Sequence, residues 1–553
     1  PRLAYQRVKM DGWNRIDAFN ILANPYTTTR QRIALGERQL FTQIEEPFTD
    51  NFLLADVNWK YSFGGVNLTS ITSYTHRDIL VVRDATALTG SVMGGSLGLS
   101  DRVYTLDAPL DDATKSKVWT QELRLTGASP KVRWLVGGFY AHSKRDYGQS
   151  VLAKGVDSLA AAEGFAGGAQ GWSQGPHAKI DELFFSALHN DLAQGAVFGE
   201  ATLAATDRLD LTAGLRYYKF SEDRSLIFDG AFAVLTDTTG TTEASGLSPR
   251  FIISYKASDA LTLNAQASRG FRLGGINDPL NKALCAPEDT LTYGPLAGSW
   301  KDETAWNYEV GAKSQFAGGR GSLNISAFYM DIRDLQLTVS AGQCSSRLIL
   351  NADKARSVGT EVELTASPNE HVDLSLSAGL NNSKLLSTFA DTAGNVISGI
   401  ASGNRLPSVP RFQASGSLTY GWSAGAGSRA FVSSSFQYVG SRYTLIDDQG
   451  DGVGAACAGE KAGCLDLNTF GANTIGGPLN TPVFRFNPLL PAYTLVNLRA
   501  GYSRQSWQLS VYVNNVLDEI AFLALDRERG LRARVGYLTN QPRTVGVSLR
   551  FDY

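Results

Sequence analysis

The sequence predicts an all-β chain, a transmembrane antiparallel up-and-down β-barrel of roughly 18 strands, with short periplasmic turns and long extracellular loops. Three observations carry this reading: apolar and polar residues alternate from end to end, short and long connections alternate in turn, and no apolar run is long enough for a membrane helix. LDLTAGLRYYKF places Leu209, Leu211, Ala213, Leu215 and Tyr217 on one face, and Asp210, Thr212, Gly214 and Arg216 on the other. LTLNAQAS sets Leu261, Leu263, Ala265 and Ala267 against Thr262, Asn264, Gln266 and Ser268. SLNISAFYMD, VDLSLSAGLNNS, RFQASGSLTY and WQLSVYVNN repeat the pattern from 322, 372, 411 and 507. The closing QPRTVGVSLRFDY does so again, with Val545, Val547, Leu549, Phe551 and Tyr553 on its apolar face. Such segments number 17 from Asn51 onward, plus a partial strand, LAYQRVKM, at the start. The best helical candidate is DSLAAAEGFAGG (157–168), weakened by its glycines.

The connections sort by parity. Short turns fall near 62–65, 126–130, 204–208, 256–260, 316–321, 367–371, 423–428 and 503–506. Between them lie long connections near 78–117, 146–194, 222–247, 272–303, 336–354, 386–409, 442–490 and 518–542. A soluble sandwich does not sort its loops this way, and compact domains seldom carry so many loops beyond about 15 residues. A barrel with tight turns on one rim and large loops on the other does. With the short turns periplasmic, the last strand runs downward and both termini lie on the periplasmic side.

Hydrocarbon offers the backbone no hydrogen-bond partners, so strands persist there only in a closed sheet. One face then meets lipid and the other a polar lumen. Tyr61, Tyr74, Trp134, Tyr140, Trp306, Tyr308, Tyr420, Trp422, Tyr502 and Trp507 stand near strand ends, as two aromatic girdles require. A net charge of −2 gives no argument for nucleic acid. The chain opens on Pro1 without a charged n-region and apolar h-region, so the reading expects a removed signal peptide or an N-terminus not represented here.

VNLTSITSYTHRD (66–78), VWTQELRLTG (118–127), SRGFRLGGIN (268–277), ETAWNYEVGAKSQF (303–316), NISAFYMDIRDLQ (324–336), NADKARSVGTEVELTASP (351–368), NRLPSVPRFQAS (404–415) and VNNVLDE (513–519) together resemble the barrel domain of TonB-dependent outer-membrane receptors. The resemblance covers essentially the whole chain, 1–553, in order and spacing. It implies residence in the outer membrane of a Gram-negative bacterium, a 22-stranded barrel, an internal plug and a TonB box. It also implies a scarce large solute, with a ferric siderophore the leading cargo, bound at the extracellular loops and imported with energy from the TonB–ExbB–ExbD complex. Carbohydrate, cobalamin or aromatic compounds are the other cargoes the family admits. Neither plug nor TonB box is found and about four strands are missing from the pattern, so the expectation is an N-terminally truncated barrel domain. The alternative from another class is a passive porin or specific diffusion channel of 18 strands. Outer-membrane lipid, lipopolysaccharide and the barrel-assembly machinery are the further partners implied, the last reading the terminal aromatic.

Four cysteines, Cys285, Cys344, Cys457 and Cys464, fall in the predicted extracellular loops, where disulfides persist. Cys457 and Cys464 share CAGEKAGC and could close a small ring; Cys285 and Cys344 sit in neighbouring loops and could staple them. Three pairings are open, and CxxC spacing for zinc is lacking. DDQGDG (447–452) reads as a solvated acidic turn rather than a calcium loop, since Gln449 and Ala458 stand where ligands are needed. His76, His142, His177, His189 and His371 are not at metal or haem spacing, which weighs against haem as cargo. RDATALTGSVMGG and GWSQGPHAK read as mobile Gly- and polar-rich loops. Glu309, Lys313, Glu361 and Glu363 are expected in a polar network inside the barrel. No nucleophile elbow, P-loop or paired-acid site is present, so no enzyme activity and no cofactor are expected.

Overall fold

Alternation becomes pairing. In the computed structural model, each strand of one 18-stranded sheet is hydrogen-bonded antiparallel to the next sheet strand in the chain. The first six strands are β1 (Arg2–Met10), β2 (Phe48–Phe63), β3 (Val66–Asp84), β4 (Pro109–Ala128), β5 (Val132–Leu152) and β6 (Glu182–Thr206). Next come β7 (Leu209–Asp229), β8 (Thr236–Ser258), β9 (Leu261–Arg272), β10 (Glu303–Phe316), β11 (Gly321–Ser340) and β12 (Arg347–Asn369). The last six are β13 (Val372–Leu385), β14 (Phe412–Ser423), β15 (Ser428–Val439), β16 (Tyr493–Arg504), β17 (Trp507–Asn514) and β18 (Thr544–Phe551). The structure describes residues 1–23, 37–95, 97–165, 171–391, 393–425, 427–450, 453, 486–528 and 533–551.

Every short turn predicted from sequence joins a strand pair at the lower rim. At the first, Gly64 and Gly65 take φ of 53° and 82°, the two positive values a two-residue type I′ hairpin needs and only glycine adopts without strain. Two of the upper connections correct the sequence reading. The segments 222–247 and 336–354 are not long loops: β7 and β8 run on to a connection at 230–235, and β11 and β12 to one at 341–346. Their upper halves alternate less cleanly because they have left the hydrocarbon, where one face no longer has to be apolar.

The predicted faces hold. Leu211, Leu215 and Tyr217 are exposed on the outside of β7, while Thr212 points inward and shares a 2.8 Å hydrogen bond with Thr202. Outward aromatics form two rows. Near the lower turns lie Trp59, Tyr61 and Phe63, stacked at 5.7 and 5.9 Å, with Tyr420 and Trp422 at 5.7 Å and Tyr502 and Trp507 at 5.6 Å. Higher up stand Tyr74, Tyr308, Tyr329 and the pair Trp119–Tyr140 at 5.8 Å. Inside, Glu309, Lys313, Glu361 and Glu363 line one cavity of about 380 Å³ with Arg250 and Asn324. Asn324 donates to Glu363 at 3.4 Å and Asn307 to Glu309 at 3.5 Å.

The upper connections pack into a crown with two apolar cores. One gathers helix α1 (Thr86–Met93), helix α2 (Val156–Ala162), Leu183, Phe184 and Tyr537. The other gathers Tyr293 at the end of helix α3 (Pro287–Tyr293), Leu335, Leu348, Ile400 and Ile446. RDATALTGSVMGG is therefore not a mobile loop: all but Leu88 of α1 is buried, and Thr86 and Thr89 are closed off by local hydrogen bonds. In GWSQGPHAK, Ser173 donates to Asp157, and the amides of His177 and Ala178 donate to Asp229. Buried carboxylates organise both segments, which composition alone does not reveal.

Among the described residues β1 and β18 each have one ladder partner, and both are widely exposed, with Leu3 at 75% and Val547 at 67%. Above this seam the first and last connections meet. Strand Arg15–Asn20 pairs with Arg534–Thr539, which pairs with Phe522–Glu528. Arg38 adds bonds to the carbonyls of Asn540 and Glu519 at 3.0 and 2.8 Å.

Leu215 is exposed on the outer wall six residues beyond the start of β7, nearer the middle of the apolar band than Leu211. Leu215→Arg is expected to cost about 2–4 kcal/mol of folding free energy in bilayers, with a smaller cost for Leu211→Arg and least for inward Thr212→Arg. Folded yield in lipid vesicles measures the order, and equal damage from all three would count against the assigned faces.

Candidate functional site

The inner wall below the crown carries charge in a row set by register. Arg77 on β3, Ser116 on β4, Arg145 on β5, Asn190 on β6 and Arg224 on β7 face one another across successive ladders. Arg77 is held by Asp50 at 2.5 and 2.9 Å. Arg224 is engaged by Asp278 at 3.0 Å and by the Ile276 carbonyl. Arg145 is exposed and lies 4.8 Å over the Tyr147 ring, a cation–π contact that leaves its N–H groups available. Above it Asp112 collects Arg83 at 2.9 Å and both Tyr147 and Gln149 at 3.2 Å. The wall thus offers a guanidinium and a phenol ring beside fixed carboxylates. Such a surface suits a polar solute rather than an apolar one.

A groove of about 1020 Å³ lies elsewhere. Phe251, Ile253, Tyr308, Val310, Tyr329 and Leu380 line it from the outside of the barrel, where the apolar face meets lipid. It is a lipid-facing depression and not a solute site.

At the upper rim the two crown lobes touch through ions. Arg527 pairs with Asp447 at 3.0 Å and Asp448 at 2.7 Å, Arg442 donates to the carbonyls of Phe522 and Leu523, and the Leu525 amide donates to Thr444. This corrects the reading of DDQGDG. Asp448 is 2% exposed and ion-paired, neither a solvated turn nor a calcium ligand, and Gln449 is bonded on both sides to the Arg405 backbone. Asp451 and Gly452 lie outside the described residues. Burial pushes the Asp448 carboxyl up to about 6 despite the Arg527 guanidinium beside it.

The seam sheet holds a second buried ionic group. Arg15 contacts Asp526 at 2.9 Å and Glu46 at 3.3 Å, and Arg534 contacts Asp17 at 2.7 Å. Glu528 lies 3.9 Å from Arg15, with Oε2 buried and unpartnered among the described residues. Burial first, then Asp526 and Asp17, push the Glu528 carboxyl up to about 7, against the pull of Arg534 and Arg15.

Cys285 and Cys344 are joined by a disulfide in the second lobe. Cys457 and Cys464 lie outside the described residues. His142 and His189 face outward and bond Asp191 and Asp146, at 2.5 and 2.6 Å. Among the described residues no group of three or more His, Cys, Asp or Glu could hold a metal ion. The arginine row was not singled out from sequence. Its signal is there in HRD (76–78), KRD (144–146) and EDR (222–224), triplets where alternation stops and charge occupies both faces.

The family model described as "TonB dependent receptor-like, beta-barrel" matches residues 3–516. The chain belongs to the TonB-dependent receptor family. It is accordingly a barrel protein of the Gram-negative outer membrane. The metal-pseudopaline receptor CntO of Pseudomonas aeruginosa (strain UCBPP-PA14) is 24% identical over 349 residues, 62% of this chain and 38% of that protein. The chain thus spans well under half the length of that curated relative. Among solved structures, the ferric yersiniabactin uptake receptor FyuA from Yersinia pestis superimposes with a TM-score of 0.68 at 14% identity, over 100% of this chain and 67% of that one. The siderophore receptor PiuA from Acinetobacter baumannii gives 0.64 at 15% identity, over 100% and 71%. At these identities the TonB-dependent receptors share the barrel fold with this chain.

Two outcomes check the crown. Glu528 has a raised folded pKa, so the folded state binds the extra proton between pH 4.5 and about 7, and stability falls as pH rises through that window. Glu528→Gln is expected to flatten this slope and to raise the melting temperature at pH 8 relative to the parent, read by thermal unfolding in detergent. For the disulfide, with 59 residues of separation, the chain-entropy argument gives about 4 kcal/mol. Cys285→Ser should lower the melting temperature under oxidising conditions; an unchanged melt would show that the bridge adds nothing.

Proposed function

We propose that this TonB-dependent receptor chain is the barrel of an active importer of a scarce large solute, most economically a ferric siderophore. The solute is taken at the crown and upper lumen and energised by TonB–ExbB–ExbD. The observation that carries the reading is the exposed Arg145 over Tyr147, in one inward row with Arg77 and Arg224 and beneath a two-lobed crown. Ferric chelates with carboxylate or catecholate donors are commonly anionic, and a guanidinium beside an aromatic ring answers both the charge and the flat groups. The relatives support the same cargo class, being receptors for a metal–pseudopaline complex, ferric yersiniabactin and a siderophore by their own descriptions. The barrel-assembly machinery, as the partner that inserts the chain, belongs to the same proposal.

A receptor-deletion strain carrying the full-length gene should recover growth on one class of iron chelate. Arg145→Ala should weaken apparent affinity about 10- to 100-fold if one charged hydrogen bond to the chelate is lost. Rescue by glycans, cobalamin or aromatic compounds alone would replace the cargo. Uptake that persists without TonB would favour a passive channel.

A further inference from the structure

At the height of the upper aromatic row the wall parts between β8 and β9. β8 follows β7 without a bulge, from Tyr255 opposite Leu209 up to Thr236 opposite Phe228. It meets β9 only as far as Arg250 opposite Ser268. Pro249, the next residue upward, has no N–H to give to a ladder. Beyond this point β9 turns inward: Phe271 lies flat on Tyr218 with ring centroids 3.4 Å apart, and Leu273 packs on the same cluster. A Cβ added at Gly270 would meet nothing within 4 Å, so the space beside β9 is open. The connection after β9 returns to this wall through side chains alone. Arg224 engages the Ile276 carbonyl and Asp278, and Ile276 sits over Gly240. Among the described residues, no backbone group of 237–248 bonds outside the β7–β8 pair.

Hydrocarbon forbids such an edge, and the split respects that limit. Leu247 and Tyr217, opposite each other, are the last exposed apolar pair of β8 and β7 before Ser245, Glu243 and Lys219 take over the outer face. Every second residue of an antiparallel edge directs its N–H and C=O away from the neighbour it has. Long edges are ordinarily guarded by Lys, Pro or a bulge. TDTTGTTEASGLS (236–248) carries none of the three and is rich in threonine, which favours strands. Its outer face is acidic: Asp237 and Glu243, with Asp223 beside them, outnumber Lys219, whose ammonium lies 3.6 Å from Glu243. A second copy in the same membrane does not suit this edge. Its β8 would run the same way, giving the weaker parallel ladder, and would set acid against acid.

We propose that the upper edge of β8, 236–248, is a docking site for an extended basic segment of another extracellular protein, which joins the wall as an added strand. Main-chain bonds along the edge supply affinity, and Lys or Arg at alternate positions of the incoming strand answers Asp237 and Glu243. The site stands on the barrel fold and is independent of the solute transported.

In the test, the full protein in dodecyl maltoside micelles is titrated into three fluorescein-labelled peptides, and anisotropy is read. One peptide alternates Lys and Thr, the second is the same peptide N-methylated throughout, and the third has Glu for Lys. The parent should bind the first with a micromolar Kd and the other two at least tenfold more weakly. Thr239→Lys/Ser245→Lys, which puts guarding charges at two exposed edge positions, should weaken the first peptide at least tenfold. Thr239→Val/Ser245→Val should retain it, and Glu370→Lys, the same change of net charge at an exposed lower turn, should match the parent. Heat-modifiable gel migration confirms folding; if the double lysine variant does not fold, single Ser245→Lys carries the comparison. Absence of binding, equal binding of the N-methylated peptide or undiminished binding by the lysine variant would overturn the proposal. So would self-association of the parent that the lysine variant abolishes, since a second copy would then hold the edge.

Discussion

Everything in this molecule depends on satisfying backbone amides where water is absent. A strand in hydrocarbon can find its partners only in the next strand, so one uninterrupted ladder system sets strand length, tilt and which side chain meets which medium. The lumen is polar because the lipid side has taken every second residue for apolar contact. The crown differs because it stands in water, where helices, short strands and buried ions become available again. Its cores are those of small soluble domains, and its carboxylates close loops by accepting from backbone amides.

What the sequence made legible follows from that constraint. Alternation is imposed by lipid on each strand separately, so LDLTAGLRYYKF shows its faces without reference to any other segment. The lower turns are equally local, since Gly64–Gly65 need only their own backbone. The upper limits of β7, β8, β11 and β12 were misjudged because alternation relaxes once a strand emerges. Helix α1 was missed because TALTGSVM has no clear amphipathic stripe; it is buried nearly all round among other loops. The arginine row was out of reach for another reason. Each member is an ordinary strand-end charge, and only the inter-strand register, the sum of several turn geometries, puts Arg77, Arg145 and Arg224 in line. Asp447 and Asp448 read as solvated for the same cause: Arg527, about 80 residues away, is brought by the fold.

The two crown lobes have different fastenings. The second holds a covalent bridge between neighbouring connections, whereas the first and the junction between lobes are held by buried ion pairs. Buried pairs are costly to desolvate and costly to break by removing one partner, so they specify arrangement more than they add stability. The lobes of the crown meet through Arg527 and two aspartates. That junction involves few groups, and a change of charge at it acts on both lobes together.

The seam sheet bears on the order in which the molecule is built. Arg534 and Asp17 meet across a separation of 517 residues, nearly the full length of the chain. Contacts of such separation form late, because the loop that joins them must first be closed by everything between. Barrel strands can pair with their neighbours one hairpin at a time, but the Arg15–Asn20 strand has no partner until the final connection has emerged and the last hairpins have folded. The clasp is thus a completion mark: its protection from hydrogen exchange reports that the whole chain has assembled.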